Sequence, residues 1–239
     1  EALKAGLLTR YQLEQRRRVL PDVYAQRDSP LSLRDRTAAA WLWSHRRAVI
    51  AGAAAAALHG AQWIGDDTPV ELVWAHGRPP RGLVIRNETL AGGEITRIAG
   101  LPVTTVVRTA FDLGRHLPRD MAATRLDALM RATPFTICRD RHAEPTRTQR
   151  LQPIGDVSAL GLQHPGARGV RRLRRVLPLV DAGAASPKET WLRLLIIDAG
   201  LPRPRTQIPI HDDWGLVALL DMGWEEFKVA AEYDGDQHR

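Results

Sequence analysis

The C-terminal part of this chain constrains its fold more than any other part, because strand-like alternation there coincides with closely spaced acidic residues. The pattern predicts a β-hairpin with strands at residues 217–221 and 227–234, joined by a turn. Asp221 would end the first strand. Glu232 and Asp234 would share one face of the second strand, because side chains two positions apart on a strand point the same way.

So many carboxylates on one hairpin require an explanation. Acidic residues are disfavoured within strands, and like charges repel one another at short range. A divalent cation such as Mg²⁺ or Mn²⁺, bound through a few carboxylates and waters, would compensate the charge. We therefore expect Asp221 and Glu232 to be metal ligands, with Asp234 beside them.

The composition favours a basic protein of a reducing compartment. Lys and Arg number 34 against 27 Asp and Glu, which gives a net charge of +7 and a pI near 10.4. This balance favours DNA as a partner over a membrane, although an Arg-rich proteome alone would also produce it. Cys138 is the single cysteine, so an intrachain disulfide and a thiolate zinc site are excluded. No apolar stretch is long enough to span a bilayer and no signal peptide is visible, so we expect a cytoplasmic protein.

Residues 1–30 are predicted to form helix, turn, helix and strand, which is the arrangement of a winged helix-turn-helix. Thr9 is a suitable N-cap for a basic helix over 10–18, and a β-like segment over 19–26 follows it. The side chains expected to contact phosphates and base edges are Arg10, Gln12, Gln15, Arg16, Arg17 and Arg18. The alternative is a basic helix face that is merely exposed to solvent.

Residues 31–182 are predicted to form an α+β middle domain. Hydrophobic periodicity with Gly and Pro punctuation predicts helices at 33–44, 48–59, 104–117 and 121–132, and strands at 70–75, 82–87 and 94–98. Residues 133–156 are polar and aperiodic, and we interpret them as a loop insert. Cys138 and His142 in this insert have ligand-like spacing, but no partner acid or base is indicated and we interpret them as a chance pair.

A basic helix is predicted at residues 170–180. Its charged residues are Arg171, Arg172, Arg174 and Arg175. The helix is either a solvated linker or a surface that follows phosphates next to a nuclease site. The small, flexible residues 181–185 after it mark a domain boundary.

The last domain, residues 183–239, is predicted to open with a helix. Ser186 is its N-cap, Pro187 occupies the first helical position, and Glu189 completes a capping box. A strand at 206–210 and the acidic hairpin follow, which gives the order α-β-β-β.

This order resembles the restriction-endonuclease-like superfamily with the PD-(D/E)xK signature. Within it, the chain is similar to the uncharacterised actinobacterial family related to very-short-patch-repair endonucleases. The hallmark of that family is a strand Asp followed by Glu-x-Asp-Gly-x-x-His, which here is Asp221 and then residues 232–238. Residues 186–191 resemble the opening helix of the family.

The upstream part of the chain resembles AbiEi-type antitoxins. Residues 1–28 are similar to their winged helix, and residues 51–60 and 100–113 to the domain that follows it. The resemblance implies a DNA-binding N-terminal region ahead of the nuclease-like domain.

The nuclease resemblance also implies roles for individual residues. Asp221 and Glu232 would hold Mg²⁺ or Mn²⁺, which polarises the phosphate and lowers the pKa of an attacking water. Glu189 would complete the acidic cluster, although its capping box alone also explains its presence. Asp234 stands where the wider superfamily has Lys, and His238 would act as base or acid in its place.

Two functions follow from these resemblances. The first is a metal-dependent DNA endonuclease, a phosphodiester hydrolase directed to its target by the winged helix. The second is a non-enzymatic, antitoxin-like transcriptional regulator whose nuclease-like tail is inactive or contacts a partner, such as a cognate toxin. The acidic cluster is required only by the first.

Both ends of the sequence are expected to be cut. The chain begins at Glu1 without Met and ends at Arg239, directly after the acidic hairpin. Restriction-like folds continue with a further helix and strand, which would cover Phe227, Val229 and Ala231. We therefore expect a poorly stabilised C-terminal domain with little or no nuclease activity in this form.

Overall fold

The computed structural model describes residues 5–75, 78–132 and 152–234. The chain divides into two compact units. The N-terminal unit comprises residues 1–58 and 64–105, and the C-terminal unit comprises 59–63 and 106–239. Both units combine helices with sheets, so the α+β class expected from the sequence is confirmed. The expected segments 1–30, 31–182 and 183–239 stay predictions.

The N-terminal unit opens with a short helix and a two-stranded hairpin. Helix α1 spans Arg10–Glu14, strand β1 spans Arg17–Leu20 and strand β2 spans Val23–Ala25. Thr9 caps α1 as expected: its hydroxyl accepts the Gln12 N–H at 3.2 Å, and the Gln12 side chain accepts the Thr9 N–H at 2.9 Å.

The predicted helix over residues 10–18 is wrong beyond Glu14. Gln15 is the C-cap of α1, and Arg17 and Arg18 lie on β1 instead. Arg18 pairs with Tyr24 across the hairpin, and the buried Leu20 joins the hydrophobic core of the unit. Tertiary packing of the strand therefore overrides the helix-forming tendency of the arginines.

A five-stranded sheet forms the body of the N-terminal unit. Its further elements are α2 (Leu33–Trp43), β3 (Val49–Ala51), α3 (Gly52–Leu58), β4 (Val70–Val73), β5 (Leu83–Arg86), β6 (Ile95–Ile98) and β7 (Leu101–Thr104). The strand order is β5-β4-β3-β7-β6. Strand β3 is central, antiparallel to β4 and parallel to β7.

The predicted helix over residues 48–59 is wrong at its start, where β3 precedes α3. Ile50 is fully buried and pairs with Leu72, so the burial of an apolar strand residue outweighs the helix propensity of the neighbouring alanines. Gly52 makes the sharp strand-to-helix turn with φ 59°, a conformation that glycine adopts without strain.

The C-terminal unit packs five helices of the described chain with a three-stranded antiparallel sheet. The elements are α4 (Val106–His116), α5 (Arg119–Ala132), α6 (Gln152–Gln163), α7 (Val170–Val176), α8 (Pro187–Asp198), β8 (Arg205–Asp212), β9 (Gly215–Trp224) and β10 (Val229–Ala231). The sheet order is β10-β9-β8. Cys138, His142 and most of the expected insert lie outside the described residues, and the loop predicted to continue through 152–156 is wrong because α6 begins at Gln152.

Buried ion pairs stabilise the helices of the C-terminal unit, one set within α4 and one between α5 and α8. Within α4, Asp112 accepts hydrogen bonds from Arg108 at 3.0 Å and Arg115 at 2.8 Å. Between α5 and α8, Asp127 pairs with Arg193 at 2.6 Å and also accepts the Thr190 hydroxyl at 2.8 Å. These bonds fix the start of α8, where the sequence predicts an active-site acid.

Among the residues that the structure describes, no helix combines the length and the apolar character needed to cross a bilayer.

Candidate functional site

The start of α8 forms one half of the predicted capping box, and the other half is displaced by one residue. The Ser186 hydroxyl accepts the Glu189 N–H at 3.2 Å, and Pro187 is at the first helical position. The Glu189 carboxylate turns back and its Oε2 accepts the Ala185 N–H at 2.8 Å. Glu189 is only 6% exposed. Its carboxylate therefore caps the backbone just before α8, at Ala185 and not at Ser186, and its role as a metal ligand stays a prediction.

Gln207 on β8 connects Glu189 to the sheet. Its Nε2 lies 3.4 Å from Glu189 Oε2. Thr206 pairs with Met222 and Ile208 with Leu220, so the register sets Gln207 opposite Asp221. The backbone of Gln207 is left-handed, with φ 52°, a conformation that costs a non-glycine residue about 1–3 kcal/mol. Sequence reasoning missed this residue, because nothing in the local sequence signals a left-handed glutamine within a strand.

Asp221 lies within β9 rather than at its end. The predicted turn over residues 222–226 is wrong, since β9 continues to Trp224 and the chain reverses through a 3₁₀ turn at Glu225–Phe227. Lys228 completes the reversal in a left-handed conformation, with φ 52°. The long strand keeps Met222 fully buried, and this burial explains why the strand does not stop at Asp221.

Glu232 and Asp234 follow β10 and do not lie within it, so the predicted strand over 227–234 is too long at both ends. Ala231 pairs with Met222, which brings residue 232 level with Asp221. The backbone N–H of Tyr233 then donates to Asp221 Oδ2 at 2.9 Å. Asp221 is half-buried, whereas Glu232 and Asp234 are exposed.

The described residues therefore connect the expected site residues only indirectly, through Tyr233 and Gln207. Asp221 joins the segment that carries Glu232 and Asp234, and Gln207 bridges from Glu189 to the same level of the sheet. His238 lies outside the described residues.

Within residues 5–75, 78–132 and 152–234, the structure has no group of three or more His, Cys, Asp or Glu side chains that could hold a metal ion. The donor chemistry nevertheless fits Mg²⁺, which is usually held by one or two carboxylates while keeping several waters. Metal binding by Asp221 and Glu232 stays a prediction.

A lysine from α8 lies beside the acidic segment. The Lys188 ammonium is 5.7 Å from the centroid of the Tyr233 ring, within the range of a cation–π contact. The sequence carried a signal for this residue, because the chain has only three lysines, Lys4, Lys188 and Lys228, in an otherwise Arg-rich composition. Lys188 therefore places a positive charge beside Tyr233, in the segment that carries Glu232 and Asp234.

The expected DNA-contacting residues are mostly on the surface. Arg10, Gln15, Arg17 and Arg18 are exposed and Arg16 is half-buried. Of the expected set only Arg10 and Gln12 lie on a helix, the short α1, so the set does not form one recognition helix. On α7, Arg171 and Arg175 are exposed. Arg172 donates to the carbonyl oxygens of His116 at 3.1 Å and Leu117 at 3.2 Å, so it closes the end of α4.

Comparisons with known proteins give distant relatives. Two proteins of Mycobacterium tuberculosis, from different strains and both described as uncharacterized, are 32% identical to this chain over 157 residues, covering 66% of the chain and 51% of each relative. A Streptomyces antibioticus protein described as a probable dTDP-4,6-dihydroxy-2-methyloxan-3-one 4-ketoreductase is 29% identical over 179 residues, covering 65% of the chain and 52% of its own length. The chain thus spans about half the length of the curated relatives it matches. No family model matches the chain, and no solved structure does.

Proposed function

We propose that the protein is a metal-dependent DNA endonuclease of the restriction-endonuclease-like type, with its acidic site on the C-terminal sheet. The observation that carries this proposal is the hydrogen bond from the Tyr233 N–H to Asp221 Oδ2. This bond holds the Asp221 carboxylate beside the segment that carries Glu232 and Asp234. An exposed cluster of acids is stable there only with a cation or with strong solvation.

The site residues have distinct tasks in this proposal. Asp221 and Glu232 would hold Mg²⁺ or Mn²⁺, with Glu189 completing the acidic cluster, and the metal would polarise the scissile phosphate and make a bound water more acidic. Hydrolysis forms a bond between a water oxygen and phosphorus, breaks the bond to the leaving sugar oxygen, and returns a proton to that oxygen. Lys188 lies where it attracts the phosphate, and His238 takes up or delivers the proton.

Substrate binding is assigned to the basic surface of the N-terminal unit. Arg17 and Arg18 are exposed on β1 of the hairpin, beside the short helix that carries Arg10. A helix followed by a basic β-hairpin supports a winged-helix-type contact, in which the arginines neutralise phosphates. Arg171 and Arg175 on α7 provide a second basic surface, in the unit that carries the acids.

An antitoxin-like DNA-binding regulator is the second candidate function. Two observations favour it: Asp234 replaces the superfamily lysine, and no three-acid metal cluster occurs in the described parts of the chain. In such a protein the C-terminal sheet contacts a protein partner, such as a toxin, and the N-terminal basic surface still binds DNA.

Plasmid nicking separates the two functions. Supercoiled plasmid is incubated with the full-length protein in Mg²⁺, Mn²⁺ or EDTA, because the 239-residue form is expected to have little or no activity, and relaxation is followed by gel electrophoresis. The endonuclease proposal expects relaxation with Mg²⁺ or Mn²⁺, none with EDTA, and none with Asp221→Ala. Asp213→Ala is the matched control, because Asp213 is an exposed aspartate in the β8–β9 turn. Duplex binding without metal-dependent nicking supports the regulator.

A further inference from the structure

We infer that Gln207 is a positioning residue of the acidic site, holding the Glu189 carboxylate at the level of Asp221. The inference rests on the proposed function, and it adds a residue that neither the sequence pattern nor the family resemblance singled out. It depends on three independent features of Gln207: its backbone conformation, its contact with α8, and its register against β9.

The backbone conformation of Gln207 is exceptional among the described residues. Other non-glycine residues with positive φ, such as Asp22, Ala99 and Lys228, lie in the connections between elements, whereas Gln207 lies inside the strand Arg205–Asp212. A left-handed residue within a strand persists only when its surroundings hold it, and such residues concentrate at functional sites. No turn requires this conformation, because β8 continues for several residues on its far side.

The contact with α8 explains what the conformation achieves. A regular strand residue at position 207 would share the sheet face of its cross-strand neighbour Asp221. The positive φ interrupts the alternation, and the Gln207 amide Nε2 donates to Glu189 Oε2 at 3.4 Å. The same oxygen accepts the Ala185 N–H, so two donors hold one carboxylate oxygen of the buried Glu189.

The pairing register of β8 with β9 places the Gln207–Glu189 hydrogen bond at the level of the proposed metal site. Gln207 lies opposite Asp221, and Asp221 is held in turn by the Tyr233 N–H. Gln207 therefore has its backbone beside one expected acid and its side chain on another. Partners that orient metal-site carboxylates typically change metal affinity by about 10–100-fold when they are removed.

A glycine substitution separates this role from a purely structural one. Gln207→Gly removes the amide but also releases the left-handed strain, because glycine adopts positive φ readily. The matched control is Lys228→Gly, because Lys228 has the same φ of 52° and lies in the turn before β10. Both variants release comparable backbone strain, and only Gln207→Gly removes the amide that donates to Glu189, which keeps its bond from the Ala185 N–H.

The experiment titrates Mn²⁺ into the full 239-residue chain by calorimetry and measures the melting temperature of each variant in EDTA. We expect Gln207→Gly to melt no lower than Lys228→Gly and to bind Mn²⁺ at least about tenfold more weakly than wild type. Lys228→Gly should bind Mn²⁺ like wild type.

Each other result decides against the inference in a recognisable way. Wild-type Mn²⁺ affinity in Gln207→Gly overturns the role of Gln207 and leaves the proposed function standing. A melting temperature of Gln207→Gly clearly below that of Lys228→Gly shows that the bridge serves the fold and not the site. Failure of the wild-type chain itself to bind Mn²⁺ overturns the proposed function, and the inference with it.

Discussion

Asp221 accepts a 2.9 Å hydrogen bond from the backbone N–H of Tyr233, twelve residues further along the chain. The bond closes the end of the β9–β10 hairpin beyond its last ladder pair, Ala231 with Met222. Because Glu232 and Asp234 flank Tyr233, the bond also fixes where these two acids leave the sheet. A hydrogen bond to a carboxylate is stronger than one between neutral groups, so it restrains this segment effectively.

Metal affinity should depend on Glu232 and not on Glu226, an acid of the same hairpin that lies outside the proposed site. Glu232→Gln is expected to weaken Mn²⁺ binding by about tenfold or more, because it removes one of two carboxylate donors. Glu226→Gln is the matched control, an exposed glutamate in the 3₁₀ turn between β9 and β10. Isothermal titration calorimetry measures both, and equal affinities of the two variants would contradict the site.

The pairing of β10 with β9 should be required for the same binding. Gly223 is buried, and a Cβ at this position would collide with the carbonyl oxygen of Val229 on β10. Gly223→Ala is therefore expected to lower the free energy of unfolding by about 1–3 kcal/mol and to weaken Mn²⁺ binding.

Gly155→Ala controls for the added methyl group, because a Cβ at Gly155 meets no other group within 4 Å. Urea unfolding followed by tryptophan fluorescence gives the stabilities. A Gly223→Ala variant as stable as Gly155→Ala would show that β10 does not pack closely against β9.

The order of elements in the C-terminal domain was predictable from the sequence, because each one has a local signal. The capping box at Ser186 marks the start of α8, and alternating apolar residues mark β8 and β9. The limits of the acidic hairpin were not predictable. Its turn depends on a left-handed Lys228, and no local preference of lysine signals that conformation.

Non-local contacts explain the other differences. The arginines of β1 were assigned to a helix, because their pairing with β2 depends on residues further along the chain. The Gln207–Glu189 contact joins residues of β8 and α8, so neither segment reveals it alone. The expected roles of Asp221 and Glu232 stay predictions, although their proximity follows from the register of β9 and β10.

DNA binding should depend on the charges of β1. Charge reversal at Arg17 and Arg18 is expected to weaken duplex binding. It should also reduce the slope of the logarithm of the binding constant against the logarithm of the salt concentration by about 2, because each lost arginine leaves one phosphate with its bound counterions. The control is reversal at Arg78 and Arg81, which are exposed on the same unit and give the same change in net charge. Fluorescence anisotropy at several salt concentrations measures both. Equal losses in the two variants would indicate only a general charge effect.

Asp127 should make stability depend on mildly acidic pH. Burial raises its pKa from 3.8 to about 6, against the opposing effects of Arg193, the Asp181 N–H and the Thr190 hydroxyl. Between these two pKa values the folded chain holds a proton that the unfolded chain has lost. The contribution of this group to the free energy of unfolding therefore rises as the pH falls from about 7 to about 4, by about 3 kcal/mol.

The non-titrating comparison for this prediction is Asp127→Asn. Wild type should gain stability relative to this variant as the pH falls from about 7 to about 4. Urea unfolding at several pH values measures the difference in unfolding free energy between the two proteins. A difference that stays constant between pH 7 and pH 4 would show that folding does not raise the pKa of Asp127.

The acidic hairpin should exchange its amide hydrogens faster than the central strands of the N-terminal unit. Strand β4 has neighbours on both sides, and Val70 and Leu72 are fully buried. Strand β10 is at an edge of its sheet, and Phe227 and Val229 near it are 63% and 51% exposed. Exposed edge strands with few buried apolar contacts open at low free-energy cost.

Hydrogen–deuterium exchange with mass spectrometry should therefore find residues 227–234 far less protected than 70–75. Addition of Mn²⁺ should slow exchange at 227–234 selectively, because a ligand stabilises the state that binds it. Equal protection of the two segments without metal would mean that the hairpin is covered in solution, and dilution of the sample would then test whether a second copy covers it.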